Sequence, residues 1–167
     1  MKPTKEITTG EKIIDSRDVI ARIDELRGEL DALVSSVTSV ANSEDREAAR
    51  EPLADWLGIA VDELPEDIDA FAPKLYGAYY KSDEAHELAA LEALQSQCNY
   101  GDWRHGESLI RDDYFEEYAE ELASDIGAID RNANWPMNHI DWKAAAAELT
   151  QDYTLVSFDG TDYWIRA

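Results

Sequence analysis

Residues Asp112 to Gly127 read DDYFEEYAEELASDIG. Tyr114, Phe115, Tyr118, Leu122 and Ile126 recur at three- and four-residue spacing, which predicts a helix with one buried aromatic and aliphatic stripe. Asp113, Glu116, Glu117, Glu120, Glu121 and Asp125 fill the other faces. No Lys or Arg lies between Arg111 and Arg131, so these carboxylates lack the cation four residues away that ordinarily offsets such repulsion. At ~1.5 Å of rise per residue, acids at every second position give one charge per ~3 Å of axis, near the ~3.4 Å per charge along one strand of B-DNA. Gly127 supplies a C-terminal stop.

Toward the C-terminus, AIDRNANWPMNHI reads as a connector whose Trp135 and Pro136 pack against the domain. Asp141 is placed to cap the short helix WKAAAAEL, whose alanines permit close approach to a neighbour. TLVSF and DYWIR flank Asp159, Gly160 and Thr161, a pattern that predicts a β-hairpin.

Toward the N-terminus, NYGDWRHGESLIR reads as a loop with an extended piece at Ser108 to Arg111. Ser82 caps a helix, DEAHELAALEALQSQC, with Ala85, Leu88, Leu91 and Leu94 as its buried stripe. Pro65 and Pro73 forbid one continuous helix through AVDELPEDIDAFAPKLYGAYYK; Trp56 before it and Phe71, Tyr76, Tyr79 and Tyr80 within it supply local core. Asn42 or Ser43 caps a helix near Pro52. A long helix starts at Asp15 or Ser16, with Val19, Ile23, Leu26, Leu30, Leu33 and Val37 on one seam. That seam serves either as an ordinary packed face or as a homodimer contact through the helix 16–37. The organisation expected is a flexible leader (1–11), a helical N-terminal region (12–105) acting as a docking or dimer module, and an acidic C-terminal region (106–167). The fold class expected is mainly α (α+β), a helical domain with a small C-terminal β-hairpin.

Asp and Glu number 37 against 15 Lys and Arg, for a formal charge of -22, with 44% hydrophobic residues and five Trp. So much apolar material predicts a folded chain despite its self-repulsion. The negative field excludes direct binding to nucleic acid or to anionic membrane, so the expected partner is basic. Cys98 is the sole cysteine, which rules out an intrachain disulfide and suits a reducing cytoplasm. The N-terminal stretch lacks the apolar core of a signal peptide, and no apolar run approaches the length of a membrane span.

The tail resembles the ArdA antirestriction proteins of plasmids, transposons and phages. The similarity lies in Tyr118 to Leu122 (YAEEL), His139 to Trp142 (HIDW), Ala144 to Leu149, Asp152 to Thr154, and the aromatic strand pair Val156 to Arg166. It covers about the last third of the chain; Met1 to Arg111 does not match that family's N-terminal part. The resemblance implies a phage or mobile-element inhibitor that imitates DNA. Its carboxylates stand in for phosphates in the basic DNA-binding groove of a host defence complex. Under that reading Asp112, Asp113, Glu116, Glu117, Glu120, Glu121 and Asp125 carry the main contact. Asp130, Asp141, Asp152, Asp159 and Asp162 extend the track, and Glu63, Glu66, Asp67 and Asp69 form a second cluster.

Other readings attach to the same residues. A charge run is most often a solvated helix face, and an all-over acidic surface also marks adaptation to salt. An acidic adaptor that binds a basic protein surface without mimicking DNA is the alternative function. Enzymatic chemistry finds little support: His86, His105 and His139 lack metal-ligand spacing, Cys98 reads as a buried thiol, and GESLI around Ser108 is not a nucleophile elbow. No calcium loop occurs. The expectation is no catalytic residue, metal or cofactor.

Overall fold

Asp159 and Gly160 both have positive φ, 44° and 78°, and so form the two-residue turn whose twist suits a hairpin. They join β3 (Tyr153–Phe158) to β4 (Thr161–Arg166), which pair antiparallel with Phe158 opposite Thr161. The hairpin expected from the sequence is therefore present, as part of a larger sheet. Strand β2 (Ser108–Arg111) pairs with β4, and the three-residue β1 (Ile13–Asp15) pairs with β2, for an antiparallel order β1-β2-β4-β3. The protein is mainly α with this small sheet.

The computed structural model describes residues 4–42, 50–51, 54, 59–64, 81–98, 102–130, 134–135 and 139–166, without the side chains of 36–42. Five helices lie among them: α1 (Ser16–Asn42), α2 (Asp83–Gln97), α3 (Trp103–Gly106), α4 (Phe115–Asp125) and α5 (Trp142–Leu149). Trp56, Phe71, Tyr76, Tyr79, Tyr80, the three acids at 66, 67 and 69, and the prolines at 52, 65, 73 and 136 lie outside the described residues. The chain divides into two compact units, one within Met1–Arg22 and Ala90–Ala167, the other within Ile23–Ala89. This differs from a boundary near residue 105, because β1 pairs with β2 across some 90 residues of intervening sequence.

In the first unit both faces of the sheet are covered. On one face Ile110 packs with Tyr114, Phe115 and Ala119 of the acidic segment and Ala146 of α5, flanked by Tyr118, Leu149, Tyr153 and Trp164. The Phe115 ring meets Tyr153 edge-on at 5.1 Å and lies 5.7 Å from Trp164. Such aromatic pairs add to the stabilisation from burial alone. The opposite face carries Ile14, Leu109, Val156, Phe158, Tyr163 and Ile165, all buried. Residues 7–11 of the expected leader are held here. Ile7 is buried, the Tyr163 hydroxyl donates to the Thr9 and Glu11 carbonyls, and Arg111 donates to the Gly10 carbonyl.

Helix α1 begins at Ser16, with Asp15 as its cap: the Asp15 carboxylate accepts from the Arg17 amide at 2.8 Å. Ser16 is fully buried and bonds elsewhere. Its hydroxyl donates to the Trp103 carbonyl at 2.7 Å and accepts from the Glu107 amide at 2.8 Å. Ser82 accepts from the Ala85 amide and Asp141 from the Ala144 amide, as capping predicts.

In the second unit Ile23, Leu26, Leu33, Ala54, Leu64 and Leu88 are buried. Arg50 donates to the Leu64 carbonyl at 2.5 Å, bracing the turn Val61–Glu63. With Ile23, Leu26 and Leu33 buried within a single chain, the α1 seam behaves as a packed face. No described helix is long and apolar enough to cross a membrane.

Candidate acidic surface

The acidic stretch is a 3-10 turn (Asp112–Tyr114) followed by α4, not one helix throughout. Tyr114, Phe115 and Ala119 are buried and Tyr118 and Leu122 half-buried, which turns the acids outward. Ile126, expected on the stripe, is 70% exposed. The helix ends one residue before it: Gly127 has φ 72°, its amide bonds to the Ser124 carbonyl, and the Ala128 amide bonds to that of Ala123. This Schellman closure turns the chain away before the stripe completes another turn.

Along α4 the acids form two ridges, Glu116 with Glu120, and Glu117 with Glu121 and Asp125. Successive members are four residues apart, or ~6 Å along the axis. Several carry partners, two of them from distant parts of the sequence and two from close by. Lys12 bonds to Glu117 at 3.0 Å and sits 4.2 Å from the Tyr114 ring centroid. Arg111 pairs with Asp113, the Trp164 indole N–H donates to Asp112 at 2.7 Å, and the Tyr114 hydroxyl donates to Glu121 at 2.6 Å. The bond to Glu121 pushes the Tyr114 hydroxyl up to about 12, because losing its proton would set two anions together. Glu116, Glu120 and Asp125 make no hydrogen bond or ion pair among the described residues. The expectation that every acid of this stretch is uncompensated is thus corrected: long-range contacts engage Asp112 and Glu117, and Arg111 and Tyr114, close by in sequence, engage Asp113 and Glu121.

The remaining acids occupy separate elements. Asp130 lies in the connector after α4, Asp141 caps α5, and Asp152 closes the 3-10 turn after α5. Asp159 forms the hairpin turn and Asp162 stands on β4 opposite Ser157. All five are exposed. Glu63 is exposed and spends its carboxylate on the Ala60 amide. Trp135, expected to pack inward, is 77% exposed, and its described neighbours Asn134 and His139 are exposed too, so this piece of the connector lies on the surface.

Lys12 and Trp164 are the residues that sequence reasoning missed, since 105 positions separate Lys12 from Glu117 and 52 separate Trp164 from Asp112. Cys98 is buried, and burial pushes its thiol up to about 12. Among the described residues no group of His, Cys, Asp and Glu is placed to hold a metal ion. The chain matches no protein-family model, no curated protein and no solved structure.

Proposed function

We infer that the protein is a non-catalytic inhibitor that imitates DNA and occupies the basic groove of a DNA-binding defence complex, of the restriction-modification kind or similar. The observation that carries this reading is the outer face of α4. Its aromatic stripe is fixed in the core, and Glu116, Glu120 and Asp125 stand beside Glu117 and Glu121 on a rigid support. A DNA-binding groove gains affinity by pairing Lys and Arg with phosphate and releasing counterions. A fixed row of carboxylates competes for the same cations, and the overall charge of -22 steers the encounter. The similarity of the tail to ArdA antirestriction proteins supports the same reading.

The test is displacement of labelled duplex DNA from purified restriction-modification complexes at low salt. Competition is expected, weakening steeply as salt rises. The triple variant Glu116→Gln, Glu120→Gln, Asp125→Asn should compete roughly tenfold or more weakly. If neither the protein nor the variant displaces duplex at low salt, the reading is wrong. Capture of a basic partner that has no affinity for DNA would instead establish the acidic adaptor.

A further inference from the structure

The β3 edge of the sheet is sealed at one end and open in the middle. Phe158 and Thr161 close a two-residue turn, so Thr154, Val156 and Phe158 direct their amides and carbonyls at β4, while Tyr153, Leu155 and Ser157 direct theirs outward. The outward groups of Ser157 are both taken by the side-chain amide of Gln97. Its Nε2 donates to the Ser157 carbonyl at 3.0 Å, and its Oε1 accepts from the Ser157 amide at 3.0 Å. The Tyr153 amide is spent on the Thr150 carbonyl of the preceding 3-10 turn. Three outward groups are left without a partner among the described residues: the Tyr153 carbonyl, and the amide and carbonyl of Leu155. The Leu155 side chain beside them is 47% exposed. Native edges are usually blunted by charge, proline or a covering element, and Gln97 does this at Ser157 alone.

We propose that this edge binds an extended, basic peptide segment of a partner protein, which adds a fifth strand beside β3. An antiparallel segment satisfies all three open groups. The residue opposite Leu155 exchanges two hydrogen bonds with it, and the residue two further on donates to the Tyr153 carbonyl. An apolar side chain opposite Leu155 covers it on the same face of the sheet. A second copy of this chain fits less well. Paired about Thr154, each Tyr153 amide is already committed to Thr150, so two bonds form instead of four; paired about Leu155, Gln97 occupies the flanking position. Charge selects the sign of the partner: from Trp142 to Arg166 the exposed charges are Glu148, Asp152, Asp159 and Asp162 against Lys143 and Arg166, and the whole chain carries -22. This inference goes beyond DNA mimicry and does not depend on it.

The probe is an acetylated and amidated Lys-Val-Lys-Val-Lys peptide, compared with a twin methylated on both valine nitrogens. The twin keeps charge and side chains but lacks the amides that would face β3. Binding by fluorescence anisotropy is expected for the parent, at least tenfold weaker for the twin. Leu155→Pro should weaken the parent by a similar factor, because it removes the outward amide while leaving the β3–β4 ladder intact. Leu155→Lys keeps the backbone groups and supplies a second variant should the proline disturb folding; it too should bind the parent more weakly. The triple α4 variant that tests DNA mimicry should still discriminate parent from twin. Equal binding of parent and twin would reduce the effect to adsorption of cations, and absence of binding would remove the site altogether. A concentration-dependent dimer that Leu155→Pro abolishes would give the edge to a second copy. Each of these three results overturns the proposal.

Discussion

Replacing Ser16 by Ala removes one oxygen that satisfies two backbone groups at once. The Trp103 carbonyl loses its donor and the Glu107 amide its acceptor. Trp103 is buried and Glu107 half-buried. A buried polar group left unpaired costs ~1–3 kcal/mol; counting that range for Trp103 and only the low end, ~1 kcal/mol, for the half-buried Glu107 gives about 2–4 kcal/mol together. Ser16 also donates its own amide to the Glu107 carbonyl at 2.9 Å, so the loss falls on the junction between β1, α1 and β2. Native-state hydrogen exchange of the β1 and β2 amides is the appropriate assay, since it reads opening of this unit alone. Exchange through that opening should speed up by roughly 30- to 1,000-fold, at ~1.4 kcal/mol per factor of ten. Ser16→Asp separates this role from ordinary capping. A capping position accepts Asp freely, whereas a fully buried position gains an unpaired charge, so Asp should destabilise more than Ala. Asp15→Ala should cost ~1 kcal/mol, as loss of a cap does. Wild-type exchange rates in Ser16→Asp would refute the assignment and restore Ser16 to the cap.

Gly106→Ala places a Cβ 2.7 Å from Arg17 Nε in a backbone at φ 102°; it should destabilise the first unit by ~1–3 kcal/mol, measured by the same exchange. The hydrogen bond from Arg17 holds the Asp15 carboxyl below its ordinary value. Such a group contributes stability that is present above its unfolded pKa and lost as pH falls through the lower folded one, so Asp15→Asn should flatten the acid limb of a stability–pH curve below about pH 4. Tyr114, raised to about 12 by Glu121, contributes stability that is full below its ordinary value near 10 and lost as pH rises through 12. Glu121→Gln should bring its ultraviolet titration back toward ~10. The buried Cys98 thiol should resist a disulfide reagent at pH 8 in the native protein and react at once in denaturant, because only the thiolate attacks; native-state labelling at the denatured rate would contradict its burial.

What the sequence determined by itself is what short-range chemistry decides. The Asp159–Gly160 turn needs positive φ at both positions, and few residue pairs tolerate that. Asp141 and Ser82 cap their helices through bonds three residues away, and Gly127 ends α4 by a local backbone motif. The stripe of Tyr114, Phe115 and Tyr118 follows from helical periodicity, and the outward acids follow from the stripe. Tertiary structure alone decided the rest. Three residues, Ile13–Asp15, hold no alternating pattern, and they become a strand because β2 offers a ladder about 90 positions downstream. Ser16 looks like a cap, yet a carbonyl and an amide from residues 103 and 107 claim its hydroxyl. Lys12 and Trp164 engage Glu117 and Asp112 from 105 and 52 positions away, a pairing set by through-space distance that local sequence cannot encode. Gln97 seals one residue of the β3 edge and leaves Leu155 open for the same reason: a side chain meets a backbone only after the chain has brought them together.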